Sequence, residues 1–175
     1  MPKYRKMLTD YQAPYIQQTF RLIETQSLLT IAKWCVGYAE ERLLPIYESV
    51  TDGDFRPRSA INVAQGWIEG DIKLKEAKEV IKECTAAARG AEGEAVAQTA
   101  ARAIGACAGT IYNPTLSAGL LFYGALAVSY HELGIEVEWE RLLKGAEAEC
   151  WRIKAALENI AVDNEPEPVK VNWGC

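Results

Sequence analysis

The sequence predicts an all-α fold, a single-domain bundle of about six to seven helices packed mostly as antiparallel helix pairs. Three observations predict it. Apolar residues recur at three- and four-residue steps through successive segments, the spacing that puts them on one face of a helix. Gly and Asn-Pro punctuation separates those segments by short turns. Outside this helical pattern, no stretch alternates apolar and polar residues over the length of a strand.

Residues 1–26 read as an arm, polar and loosely held up to Ala13, with a short helix from Pro14 to Glu24. Ser27 is placed to cap a second helix whose stripe is Leu28, Ala32, Cys35, Ala39, Leu43, Ile46 and Val50. Pro45 interrupts that stripe. It lacks the N–H that would bond the carbonyl of Glu41, and its ring clashes with that turn, a cost of ~3 kcal/mol inside a helix. Two outcomes stay open: a kink near Glu41 with the helix resuming to Val50, or a stop at Leu44 and a new start at Pro45.

Asp52-Gly53-Asp54 has turn chemistry, and Pro57 opens a third helix over 56–69 with Ala60, Ile61, Ala64, Trp67 and Ile68 on its apolar stripe. Gly70 suits the left-handed residue past its end, and Asp71 the cap of the next helix. That fourth helix, 72–89, turns Leu74, Ala77, Ile81, Cys84 and Ala88 inward and Lys73, Lys75, Glu79, Lys82 and Glu83 outward, until Gly90 and Gly93 break it. The fifth, 94–111, is built from Ala, Gly and Thr. Small residues let helices approach closely, so it is the central helix, burying Val96, Ala100, Ala103, Cys107 and Ile111. Asn113-Pro114 is a turn and Thr115 the cap of a sixth helix running to His131, apolar nearly all round and hence buried on several sides. Gly134 ends it. The seventh, 137–161, points Trp139, Leu142, Ala146, Cys150, Ile153, Leu157 and Ile160 inward, with Glu138-Arg141, Glu147-Arg152 and Glu149-Lys154 on its outer face. Residues 27–161 are thus the helical domain, and 162–175 a proline-broken acidic tail, flexible or docked by Val171 and Trp173.

Composition excludes several function classes. The 175 residues suffice for one core of ordinary size. A net charge of −5 argues against nucleic acid, whose phosphates call for clustered Lys and Arg. No apolar run reaches the roughly 18 residues of a membrane span, and no secretory signal is visible, so the expected compartment is the cytoplasm. Five cysteines without CxxC spacing describe neither a disulfide framework nor a zinc site. Cys35, Cys84, Cys107 and Cys150 fall on or beside apolar stripes, and the terminal Cys175 is expected to be exposed. His131 is the sole histidine, which disfavours both three-ligand zinc and a Ser-His-Asp triad. There is no GxSxG elbow, P-loop or dinucleotide fingerprint. Neither catalysis nor a cofactor or metal is expected.

The residues with binding chemistry cluster around the third helix. Arg56 and Arg58 flank Pro57, with Asp52 and Asp54 just upstream. Two guanidinium forks there could hold a phosphate or a partner's carboxylate, or could pair internally with Asp52, Asp54 or the Glu40/Glu41 region. A helix N-terminus favours anions, so arginines at that end imply a nearby carboxylate, and the internal pairing is preferred. Glu40, Asp54, Arg56, Arg58 and Trp67 are the candidate binding residues. Glu40 and Glu41 beside Pro45 read as a solvated face in preference to an acid–base pair. Trp34, Trp67, Trp139 and Trp151, with Tyr112, Tyr123 and Tyr130, read as core more than as a ligand pocket.

Three runs carry a family resemblance. Trp34, Ala39, Glu40, Arg42, Leu44, Pro45, Tyr47 and Glu48 follow a W-x-x-x-x-A-E-R-x-L-P-x-(F/Y)-E pattern with one extra residue, Glu41, between its Glu and Arg. Asp54, Arg56, Pro57, Arg58, Ala60 and Ile61 fit D-x-R-P-R-x-A-I, and Trp67, Gly70 and Ile72 fit a W-x-x-G-x-(I/L) helix end. Over residues 28–131 the chain resembles the immunity proteins of the Imm-5-like family. The resemblance implies an all-helical, cytoplasmic antidote of a bacterial polymorphic toxin system that binds its cognate toxin protein stoichiometrically. Members of that family often carry histidines in and just after the Ala-rich helix, where this chain has Ala106, Tyr112 and Ser117, so the resemblance implies that a ligand or metal role resting on those histidines would be lost here. Two other readings compete. One is a helical binder of a small anionic ligand, or an enzyme, with a pocket near Arg56 and Arg58. The other is an assembly module that forms a homodimer through the sixth or seventh helix.

Overall fold

The computed structural model describes residues 3–174, so Cys175 lies outside the described residues. The helices are α1 (Pro14–Ile23), α2 (Leu28–Tyr38), α3 (Leu44–Val50), α4 (Arg56–Ile68), α5 (Leu74–Gly90), α6 (Ala95–Gly109), α7 (Ala125–Leu133) and α8 (Trp139–Ile160). No strand occurs among the described residues. Consecutive helices joined by short turns pack side by side, α4 on α5, α5 on α6 and α7 on α8. The all-α bundle expected from the sequence is the bundle observed.

The central position of the Ala-rich helix is also observed. α6 touches α2, α3, α4, α5 and α7, and buries Ala97, Ala100, Ala101, Ala103, Ile104, Cys107 and Ala108. Val96, expected inward, is only half-buried, because it falls between the buried Ala95 and Ala97 near the start of the helix. Close approach is used where small residues meet. A Cβ on Gly119 would collide with the Cβ of Ala106 across the helix pair.

Pro45 neither stops its helix nor breaks it. α2 runs into α3 through a π turn, Ala39–Leu43, in which the Leu44 N–H bonds the Ala39 carbonyl five residues back. The extra residue widens the turn that the proline ring would otherwise crowd. It also rotates everything after it. The inward stripe becomes Leu43, Leu44, Ile46 and Tyr47, and Val50, expected inside, is 46% exposed. A second π turn, Leu120–Gly124, leads into α7, with the Ala125 N–H on the Leu120 carbonyl. The single sixth helix of the sequence reading is therefore a short 3₁₀ turn, Pro114–Ser117, followed by this π turn and α7.

Several caps differ from expectation. Asn113, not Thr115, caps the 3₁₀ turn, accepting from the Thr115 N–H at 3.1 Å. Asp71 is not the cap of α5. Its N–H and that of Ile72 both return to the Gly66 carbonyl, at 2.8 and 3.2 Å, so the chain turns about the left-handed Gly70 and α5 starts only after Lys73. Ser27 does cap α2, accepting from the Thr30 N–H at 3.3 Å.

Both chain ends pack against the bundle. Leu8 is buried, and its N–H donates to the Phe122 carbonyl at 3.0 Å. The Tyr4 hydroxyl donates to Gln98 Oε1 at 2.6 Å, and the Arg5 guanidinium sits 4.2 Å from the centre of the Trp139 ring. This holds the arm that the sequence reading left loose. At the other end the Val169 N–H donates to the Gln26 carbonyl at 2.8 Å, and the Trp173 ring stacks on Phe20 at 3.8 Å. Glu165 accepts from the Ser27 N–H and the Thr30 hydroxyl at the start of α2. Val169 and Trp173 contact the core here, and Val171 lies beside them on the surface.

Candidate functional site

Three of the residues singled out by sequence, Asp54, Arg56 and Arg58, meet at the connection between α3 and α4, where Gly53 takes a positive φ of 69° to make the turn. Asp54 then becomes a hub. Its carboxylate accepts from Arg56 Nε at 2.9 Å and Nη2 at 2.8 Å, from the Arg56 backbone N–H at 3.1 Å, and from the Tyr47 hydroxyl at 2.7 Å. Those donors, the Arg56 guanidinium foremost, hold the Asp54 carboxyl well below the usual carboxylate range. Burial and the same contact push the Tyr47 phenol up. Arg58 makes a second two-pronged pair with Glu48, at 2.6 and 2.9 Å, binding the start of α4 to the end of α3.

Both arginines of the RPR motif are therefore matched by carboxylates of the chain, Asp54 and Glu48. A cleft of about 280 Å³ opens beside Tyr47, Asp54 and Arg56, bounded across the way by Gly90 and Glu94. The other two candidates lie outside this cluster. Glu40 accepts from Gln65 Nε2 at 2.5 Å, tying the π turn to α4. Trp67 is half-buried against the core near the end of α4. What the two ion pairs leave outside is Phe55, 68% exposed between Asp54 and Arg56.

A second polar cluster corrects the sequence reading. Glu149, expected on the outer face of α8, has no exposed side-chain surface at all. It accepts from Arg42 Nε at 3.1 Å, from Arg152 Nη1 at 3.0 Å and, in a short contact, from the Tyr38 hydroxyl. Arg42 reaches on to Glu132 at 2.7 Å. Burial raises the Glu149 carboxyl, but the Arg42, Tyr38 and Arg152 hydrogen bonds outweigh it and leave it below its ordinary value. The signal was present in the spacing. Ala146, Glu149, Cys150, Ile153 and Leu157 form one inward stripe, with a carboxylate where a hydrophobe is expected.

The aromatic residues do not gather into one pocket. Trp34 is buried and donates to the Ile153 carbonyl at 3.0 Å, while Trp151 packs edge-on to Tyr15. Tyr112 and Tyr123 lie under Lys78 and Arg102 respectively. Cys35, Cys84, Cys107 and Cys150 are free buried thiols, and burial pushes Cys84 up to about 12, far from reactivity at neutral pH. Among the described residues no group of His, Cys, Asp and Glu has the arrangement of a metal site. Among the described residues no helix is long and apolar enough to cross a membrane.

Residues 21–155 match the family model described as "Imm-5 like putative immunity protein". No curated protein and no solved structure matches the chain.

Proposed function

Because the chain belongs to the Imm-5-like family of immunity proteins, we propose that it neutralises a cognate toxin protein by stoichiometric binding, without catalysis, in the cytoplasm of the cell that makes the toxin. The observation that carries the docking site is Phe55. An aromatic ring 68% exposed sits on a connection whose flanks are fixed by the Asp54–Arg56 and Glu48–Arg58 pairs. Binding energy concentrates in a few large anchors, and an anchor held in place before binding loses little conformational freedom on docking. Arg56 and Arg58 then serve as positioning residues, and the apolar contact belongs to Phe55.

The test is Phe55→Ala against the purified toxin. The variant binds at least tenfold more weakly, about 1.4 kcal/mol or more, while its thermal midpoint stays at that of the parent. Unchanged affinity moves the docking site elsewhere on the molecule.

A further inference from the structure

The arginines of the RPR motif are occupied, but among the described residues several others are not, and two of these share one cleft. Arg89, in the last turn of α5, and Arg102, near the middle of α6, line one surface cleft of about 230 Å³. Among the described residues neither has a carboxylate within 4 Å, and no acidic residue lines the cleft. On a chain of net charge −5 this is a local inversion of sign. Ala101 and Gly105 line the same cleft without bulk, Thr85 adds a hydroxyl, and Tyr123 adds a ring.

The structural explanations account for only part of each side chain. Arg89 complements the negative end of the α5 dipole, but that needs its charge and not its donors. Arg102 lies 5.9 Å from the centre of the Tyr123 ring, a contact that draws on its charge. The N–H groups around the guanidinium edge, five in each arginine, are left for an acceptor. A planar fork of that kind matches the oxygens of a carboxylate or phosphate.

We propose that the cleft between Arg89 and Arg102 is an oxyanion-binding site that takes a carboxylate or phosphate group, with the Thr85 hydroxyl as a third donor and the Tyr123 ring packing against the body that bears the anion. Phe55 does not line this cleft, and anion binding there does not depend on the docking proposal.

The experiment follows the arginine Nε–H resonances of the full chain by NMR while inorganic phosphate is added at constant ionic strength. The Arg89 and Arg102 signals shift saturably and those of Arg56 and Arg58 stay in place. In Arg89→Gln and Arg102→Gln the dissociation constant rises at least tenfold, and Arg102→Lys, which keeps charge but loses the fork, falls between. Shifts shared by all arginines without saturation, or a titration unchanged in the double Gln variant, overturn the proposal. The source of the anion is read separately. Weaker toxin binding by the Gln variants places the oxyanion on an Asp or Glu of the partner, and toxin affinity unchanged in variants that have lost phosphate binding places it on a free small molecule.

Discussion

Glu149 is a carboxylate with no exposed side-chain surface, held by Arg42, Arg152 and Tyr38 across elements far apart in sequence. Arg42 and Arg152 keep part of their surface in water, 38% and 63%, so they rehydrate when the carboxylate is removed. We therefore expect Glu149→Gln to lower stability by about 2 kcal/mol, the range for hydrogen bonds to a charged group, read as a shift in urea midpoint. Acid should act through the same residue. The Glu149 and Asp54 carboxyls sit below their ordinary values of 4.5 and 3.8, so their contribution is complete above those values and is lost as pH falls through the folded-state range. Stability should then be flat from neutral pH to about pH 5 and decline below it, and Glu149→Gln should flatten the decline. The Asp54–Arg56 pair was legible because its partners are two residues apart. For Glu149 only the position on the inward stripe was legible; its partners were not, because Arg42 lies 107 residues away.

Among the elements, the two π turns decide which side chains face inward, and both escaped the sequence reading. A π turn adds a residue without any composition signature of its own, and Pro45 signals only that the ordinary helical bond cannot form there. The glycines separate two uses of small size. A Cβ on Gly37, in the exposed face of α2, meets nothing within 4 Å, so Gly37→Ala should stabilise the protein by roughly 0.5–1 kcal/mol through reduced chain entropy. Gly119 lies against Ala106, which has no flexible end to move aside, so Gly119→Ala should destabilise it by about 1–3 kcal/mol. Thermal unfolding of the two variants should move in opposite directions. The helices themselves were legible, since amphipathic periodicity and Gly or Asn-Pro turns survive in any packing of the bundle.

For the molecule as a whole, the fold class was legible from the sequence and the arrangement of its ends was not. Leu8 on Phe122, Tyr4 on Gln98 and Trp173 on Phe20 are contacts between distant residues that no local pattern encodes. The same holds for the candidate sites. Sequence pointed to Arg56 and Arg58, and packing gave both to internal carboxylates, leaving Phe55 as an exposed anchor and Arg89 with Arg102 as two unpaired cations that share a cleft. The role proposed for the whole molecule is occlusion of a toxin by a rigid surface, which sets a stoichiometry. The most direct measurement titrates this protein into a fixed amount of active cognate toxin and follows the residual toxic activity. The account predicts a linear fall that ends at one equivalent, with activity returning when the complex is dissociated. Complete and irreversible loss at a small fraction of an equivalent would mean turnover, and would contradict neutralisation by binding.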